Sequence, residues 1–63
     1  MNIIVTAILA NHGTFRESAG LVFGSFDRPE QARLAMQQIV PWGFAVARWG
    51  NRIMVEIGAM GEH

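Results

Sequence analysis

Two groups of residues in this chain are of the types that chemistry uses. The first is His12, Glu17 and Ser18, which in principle supply a base, an orienting carboxylate and a hydroxyl nucleophile. Nucleophilic catalysis also needs a strained turn that presents the hydroxyl, and donors for the developing oxyanion. Neither is indicated here, because all three residues fall in one polar stretch between apolar runs. Their assigned role is turn and loop polarity. His63, the only other imidazole, is the last residue. No H-x-x-x-H, C-x-x-C or E-x-x-H spacing occurs, so no metal site is expected from one chain. Gly20 and Gly24 do not form a phosphate loop, since no lysine follows and a helix starts only after Asp27. No cofactor and no enzymatic activity are expected.

The second group is Arg48, Trp49 and Arg52. Two guanidinium groups beside an indole suit three roles. They stack on a base and hold phosphates, as in single-strand binders. They form a protein-contact hot spot, where Trp and Arg are the enriched types. Or they support a hairpin as a cross-strand pair contributing about 0.2–1 kcal/mol. Net charge weighs against the first role. Five cations and five anions cancel, which leaves little long-range attraction to nucleic acid or anionic lipid. All five cations are Arg, the better residue for stacking and bidentate contacts at interfaces.

These side chains are positioned by Phe44 to Ile57, which reads as a β-hairpin closed by Gly50-Asn51. A two-residue loop sets Trp49 opposite Arg52, Ala47 opposite Met54 and Ala45 opposite Glu56 on one face. Phe44, Val46, Ile53, Val55 and Ile57 fill the other, which is the core face. Before the hairpin, Asp27-Arg28-Pro29-Glu30 predicts a helix start, with Asp27 as cap and Glu30 completing a capping box. Pro41 ends that helix by Val40. Ala32, Ala35, Met36, Ile39 and Val40 share its inner face, while Leu34 falls on the outside among Gln31, Gln37 and Gln38. Trp42, in the Pro41-Trp42-Gly43 connector, is expected beneath the helix end.

In the N-terminal half, Ile3 to Ala10 is a β-branched apolar run that reads as a buried strand. Thr14 to Ser18 is polar, and Ala19 to Phe26 is a second strand in which Gly20 and Gly24 mark a bulge or a close backbone approach. The resulting fold class is α+β, one domain over residues 1–63. It is a two-layer ββαββ arrangement, an antiparallel four-stranded sheet with one helix on one face. No internal repeat is legible. The sheet's second face is left bare, flat and partly apolar, and it carries Trp49, Arg52 and Met54.

With 63 residues the chain sits near the lower limit for an unaided core, yet 51% of it is hydrophobic and only 16% charged. The surplus apolar surface is expected in a contact with a partner. There is no cysteine, which removes disulfides and thiolate metal sites and fits a cytoplasmic location. Met1 to Ala10 lacks a basic leading region, so no secretory signal is expected, and no run is long enough to span a bilayer. The expected function is non-enzymatic protein binding, as a homodimer or on a larger target. Size and lack of motifs fit a small regulator or inhibitor of the phage or mobile-element kind, anti-CRISPR proteins among them, acting by steric block. The partner-binding residues are Trp49, Arg52, Met54, Arg48 and Leu34. The alternatives are single-stranded nucleic-acid binding through Arg48, Trp49, Arg52 and Arg16, and a structural subunit of an oligomer.

Residues 24–57 resemble part of a SPOR domain, the glycan-binding repeat of bacterial division proteins. The residues that carry the likeness are Gly24-Ser25-Phe26, then Arg28, Glu30, Ala32 and Arg33, and Gly43 before a strand. The resemblance implies a site outside the cytoplasm, behind a membrane anchor and linker, neither of which is legible in this sequence. Its elements are those of any strand–capped helix–strand unit, so the protein-binding reading is kept ahead of it.

Overall fold

A computed structural model describes residues 2–57 of the chain. Two helices and four strands follow one another as α1 (Ile3–Ala10), β1 (Thr14–Ser18), β2 (Leu21–Ser25), α2 (Pro29–Ile39), β3 (Ala45–Trp49) and β4 (Arg52–Glu56). A single 3-10 turn, Val40–Trp42, joins α2 to β3. The strands form one antiparallel sheet in the order β1-β2-β4-β3. The α+β class and the four-stranded antiparallel sheet therefore agree with the sequence reading. The N-terminal segment does not.

Ile3–Ala10 is a helix, not a strand, and Thr14–Ser18, read as a polar stretch, is the first strand. Local signals do support the helix. The Asn2 side chain accepts from the Ile4 amide at 2.7 Å, which caps the N-terminus. At the other end the His12 amide reaches the Leu9 carbonyl and the Gly13 amide the Ile8 carbonyl, the paired bonds of a Schellman stop. The tertiary reason is width. Four strands at ~4.8 Å spacing make a layer roughly 19 Å across, whereas one helix with its side chains is about 10–12 Å in diameter. One helix leaves half the inner face wet, and the expected single lid is in fact two helices. Helix α2 packs on β3 and β4, α1 lies towards β1, and the two helices pack on each other.

The core lies between the layers. Ile4, Ala7 and Ile8 of α1 and Ala32, Ala35 and Ile39 of α2 meet Val22, Ile53 and Val55 of the sheet, with Phe26 closing one end. Burying a side chain the size of Ile or Val stabilises by about 1.5–3 kcal/mol. Two buried isoleucines in α1 thus outweigh the modest helix-propensity cost of its β-branched residues, at most ~0.7 kcal/mol each. Gly24 lies directly against α1. A Cβ there would sit 3.0 Å from Ile53 Cγ1 and 3.1 Å from Ile8 Cδ1, the close approach its place in a strand predicted.

Helix α2 starts one residue later than expected. Arg28 rather than Asp27 is the cap position, and the Gln31 Oε1 atom accepts from the Arg28 amide at 3.0 Å. Glu30 still lies in the first turn, where its charge favours the helix dipole. Trp42, expected beneath the helix end, is instead 64% exposed.

The two halves of the chain also share one plan, helix–strand–strand. The strands of the second unit follow those of the first at a single offset, Thr14 matching Ala45 and Leu21 matching Arg52. Buried positions keep the same offset: Ile8 matches Ile39, Ile4 matches Ala35 and Val22 matches Ile53. The antiparallel register of β2 on β4 places a pseudo-two-fold axis at the Phe23–Met54 pair. This repeat escapes sequence inspection because burial, not residue identity, is what recurs.

Candidate functional site

The C-terminal hairpin forms in the expected register, with Trp49 opposite Arg52, Ala47 opposite Met54 and Ala45 opposite Glu56. Gly50 has φ 61° at the first turn position while Asn51 stays negative, as a type II′ turn requires. The Asn51 side chain donates to the Phe26 carbonyl, and the Phe26 amide donates to the Asn51 carbonyl at 2.9 Å. The turn is thereby tied to the end of β2.

Strand alternation then divides the sheet. Val22, Ile53 and Val55 point to the helices, so Leu21, Phe23, Arg52 and Met54 point away from them. The outward residues align in three rows across the strands. The first is Thr14, Ser25, Arg52 and Trp49; the second Arg16, Phe23, Met54 and Ala47; the third Ser18, Leu21, Glu56 and Ala45. No described element covers these rows. Trp49 is 49% exposed, and Leu21, Phe23 and Met54 are half-buried only by their neighbours in the sheet.

A shallow depression of about 340 Å³ lies at the first two rows, lined by Thr14, Arg16, Phe23, Ser25, Trp49 and Arg52 among others. Two arginines and three aromatic residues, Phe15, Phe23 and Trp49, thus line one concavity. Chemically such a surface takes up flat apolar groups against Trp49 and Phe23, and accepts carboxylate or phosphate oxygens at Arg16 and Arg52.

Of the five expected contact residues, the fold brings Trp49, Arg52 and Met54 to this face. It separates the other two. Arg48 pairs with Ile53 and so belongs to the helix side of the sheet, where it lines a groove with Arg33, Met36 and Val40. Its Nη1 also donates to the Gly50 carbonyl at 3.1 Å. Leu34 is 46% exposed on the outer side of α2, in the layer remote from the open face. Phe23 belongs to neither expected contact set, and Arg16 only to the nucleic-acid one. Pairing of β1 with β2 sets Arg16 beside Phe23, and pairing of β2 with β4 then sets Phe23 beside Met54.

The possible catalytic set is dispersed. His12 forms the stop of α1, at φ 65°. Glu17 projects on the helix side of β1 and Ser18 on the open side, by alternation along the strand. His63 lies outside the described residues. Among the described residues, no three His, Cys, Asp or Glu are grouped as metal ligands would be, and no helix is long and apolar enough to cross a membrane. Comparison with protein-family models, with curated proteins and with solved structures returns no match for this chain.

Proposed function

We propose that this protein is a non-enzymatic binding module that docks a protein on its open sheet face. The observation that carries the reading is the Trp49, Phe23, Met54 and Leu21 surface, flanked by Arg16 and Arg52 and left uncovered by both helices. Phe23 and Met54 hold the centre of this face with Trp49 and the two arginines around them, and aromatic and Arg residues are the types enriched in energetic hot spots. Binding by such a face acts sterically: its occupant is either a second copy of this chain or a larger protein, whose working surface a small regulator or inhibitor of this kind occludes. A cytoplasmic setting is part of the proposal and rests on the cysteine-free sequence.

A second reading is favoured by one observation: Arg16 and Arg52 share a depression with Trp49 and Phe23. Stacking rings beside cations also suit single-stranded nucleic acid. One set of titrations separates the two. In the protein reading, Trp49→Ala leaves the fold intact by circular dichroism while partner or self affinity falls by about 2 kcal/mol or more. Unchanged affinity on an intact fold removes this face from the reading. In the nucleic-acid reading, a fluorescent single-stranded oligonucleotide binds at low salt, weakens steeply as salt rises, and is lost in Arg52→Ala.

A further inference from the structure

We infer that the open sheet face is the contact between two copies of this chain, stacked face to face with their strands antiparallel. This rests on the open face being a protein-docking surface, and it names the partner. The argument starts from the ends of the rows. On β4, Arg52 stands at one end of the face and Glu56 at the other, with Met54 between them. On β3 the bulky Trp49 stands at one end and the small Ala45 at the other, with Ala47 between. Charge and bulk are therefore both antisymmetric along the strands.

A two-fold axis between the copies, running across the strands over the Arg16–Phe23–Met54–Ala47 row, uses both patterns at once. It keeps each strand over its own counterpart and reverses its direction. Arg52 then lies over Glu56 of the other copy, and the reverse, which gives two equivalent ion pairs. Trp49 lies over Ala45 and Ala47 of the other copy, bulk against small residues. Phe23 and Met54 meet their own counterparts at the centre. Arg16 meets its own kind on the outermost strand, where water screens it and the ~30° crossing of stacked sheets carries it away.

The other isologous stacking has its axis along the strands and sets β2 over β4. It lays Glu56 against Leu21 of the other copy, with no cation opposite, and an unpaired carboxylate against apolar surface is costly. Charge thus selects the antiparallel arrangement.

The contact is small. Four strands of five residues cover roughly 19 Å by 17 Å, which places the interface at the low end of specific ones, below about 1,200 Å² in total. A weak, reversible dimer is expected, with a Kd in the micromolar range or above.

The experiment is charge reversal and mixing, followed by sedimentation equilibrium from about 1 µM to 1 mM. Wild type is expected to dimerise over that range. Arg52→Glu and Glu56→Arg, each folded by circular dichroism, should weaken self-association about 10-fold or more, since each change enters the contact twice. A mixture of the two variants should form a heterodimer, and the double variant R52E/E56R should recover self-association. Should one reversal fail to fold, Glu56→Gln supplies the same test, with a smaller loss. A wild-type chain that stays monomeric to 1 mM overturns the inference and leaves the docking face itself to the Trp49→Ala experiment. A dimer that persists through both reversals overturns this stacking; if it also survives Trp49→Ala, the open face is not the contact at all.

Discussion

Two residues hold backbone conformations that their side chains disfavour. Ala19 has φ 53° and Gly20 φ 78°, the pair of positive angles that defines a type I′ turn between β1 and β2. His12 has φ 65° at the stop of α1. A left-handed conformation costs an L-residue with a Cβ roughly 1–2 kcal/mol, less for Asn, whose side chain bonds locally. Asn-Gly is the favoured pair for a type I′ turn, so Ala19→Asn is expected to stabilise the fold by about 0.5–1 kcal/mol. A urea midpoint that rises with an unchanged m-value records it, and an unchanged or lower midpoint counts against the turn assignment. His12 is explained in the same terms. Its place is set by the α1 stop, whose C′ position takes a left-handed residue.

At the scale of elements, α1 is the piece whose packing decides the architecture. It packs against Gly24, where even a methyl group would sit inside van der Waals contact with Ile8 and Ile53, so that both must give by a few tenths of an ångström. Gly24→Ala is therefore expected to destabilise by about 1–3 kcal/mol, the usual cost of overpacking a core. Hydrogen exchange localises the effect: protection should fall in α1 around Ile8 and in β4 around Ile53, the two sides of the added methyl, more than in β3. An equal loss in β3 would mean that the methyl group is not what perturbs the packing. Helix α2 needs no such glycine, because Ala32 and Ala35 already bring it close to the strands.

Over the described residues the molecule is two helix–strand–strand units joined about a pseudo-two-fold axis, with both helices on one side. That symmetry concentrates the buried aliphatic residues between the layers and leaves the opposite sheet face with no layer over it among the described residues. Dimerisation through that face links association to folding. The thermal midpoint of the wild type should rise with protein concentration, and that of Glu56→Arg should not, as scanning calorimetry over a hundredfold range will record. A midpoint independent of concentration in both proteins would make the folded monomer self-sufficient.

Much of this was legible in the residues. The Gly50-Asn51 turn carried the β3–β4 register, and alternation then assigned Trp49, Arg52 and Met54 to one face. Pro29 and Pro41 bounded α2, and Leu34 was rightly set on its outside. These features are local, since turn chemistry, proline sterics and period-two alternation act over a few residues. The conformation of Ile3–Ala10 was not local in this sense. Its β-branched residues suit a strand, and only a sheet too wide for one helix, with Gly24 cleared for its approach, makes the helix the better-packed state. The composition of the open face was decided the same way: Phe23 and Arg16 join Trp49 only once β2 pairs with both β1 and β4, while Arg48, next to Trp49 in sequence, is turned to the other side.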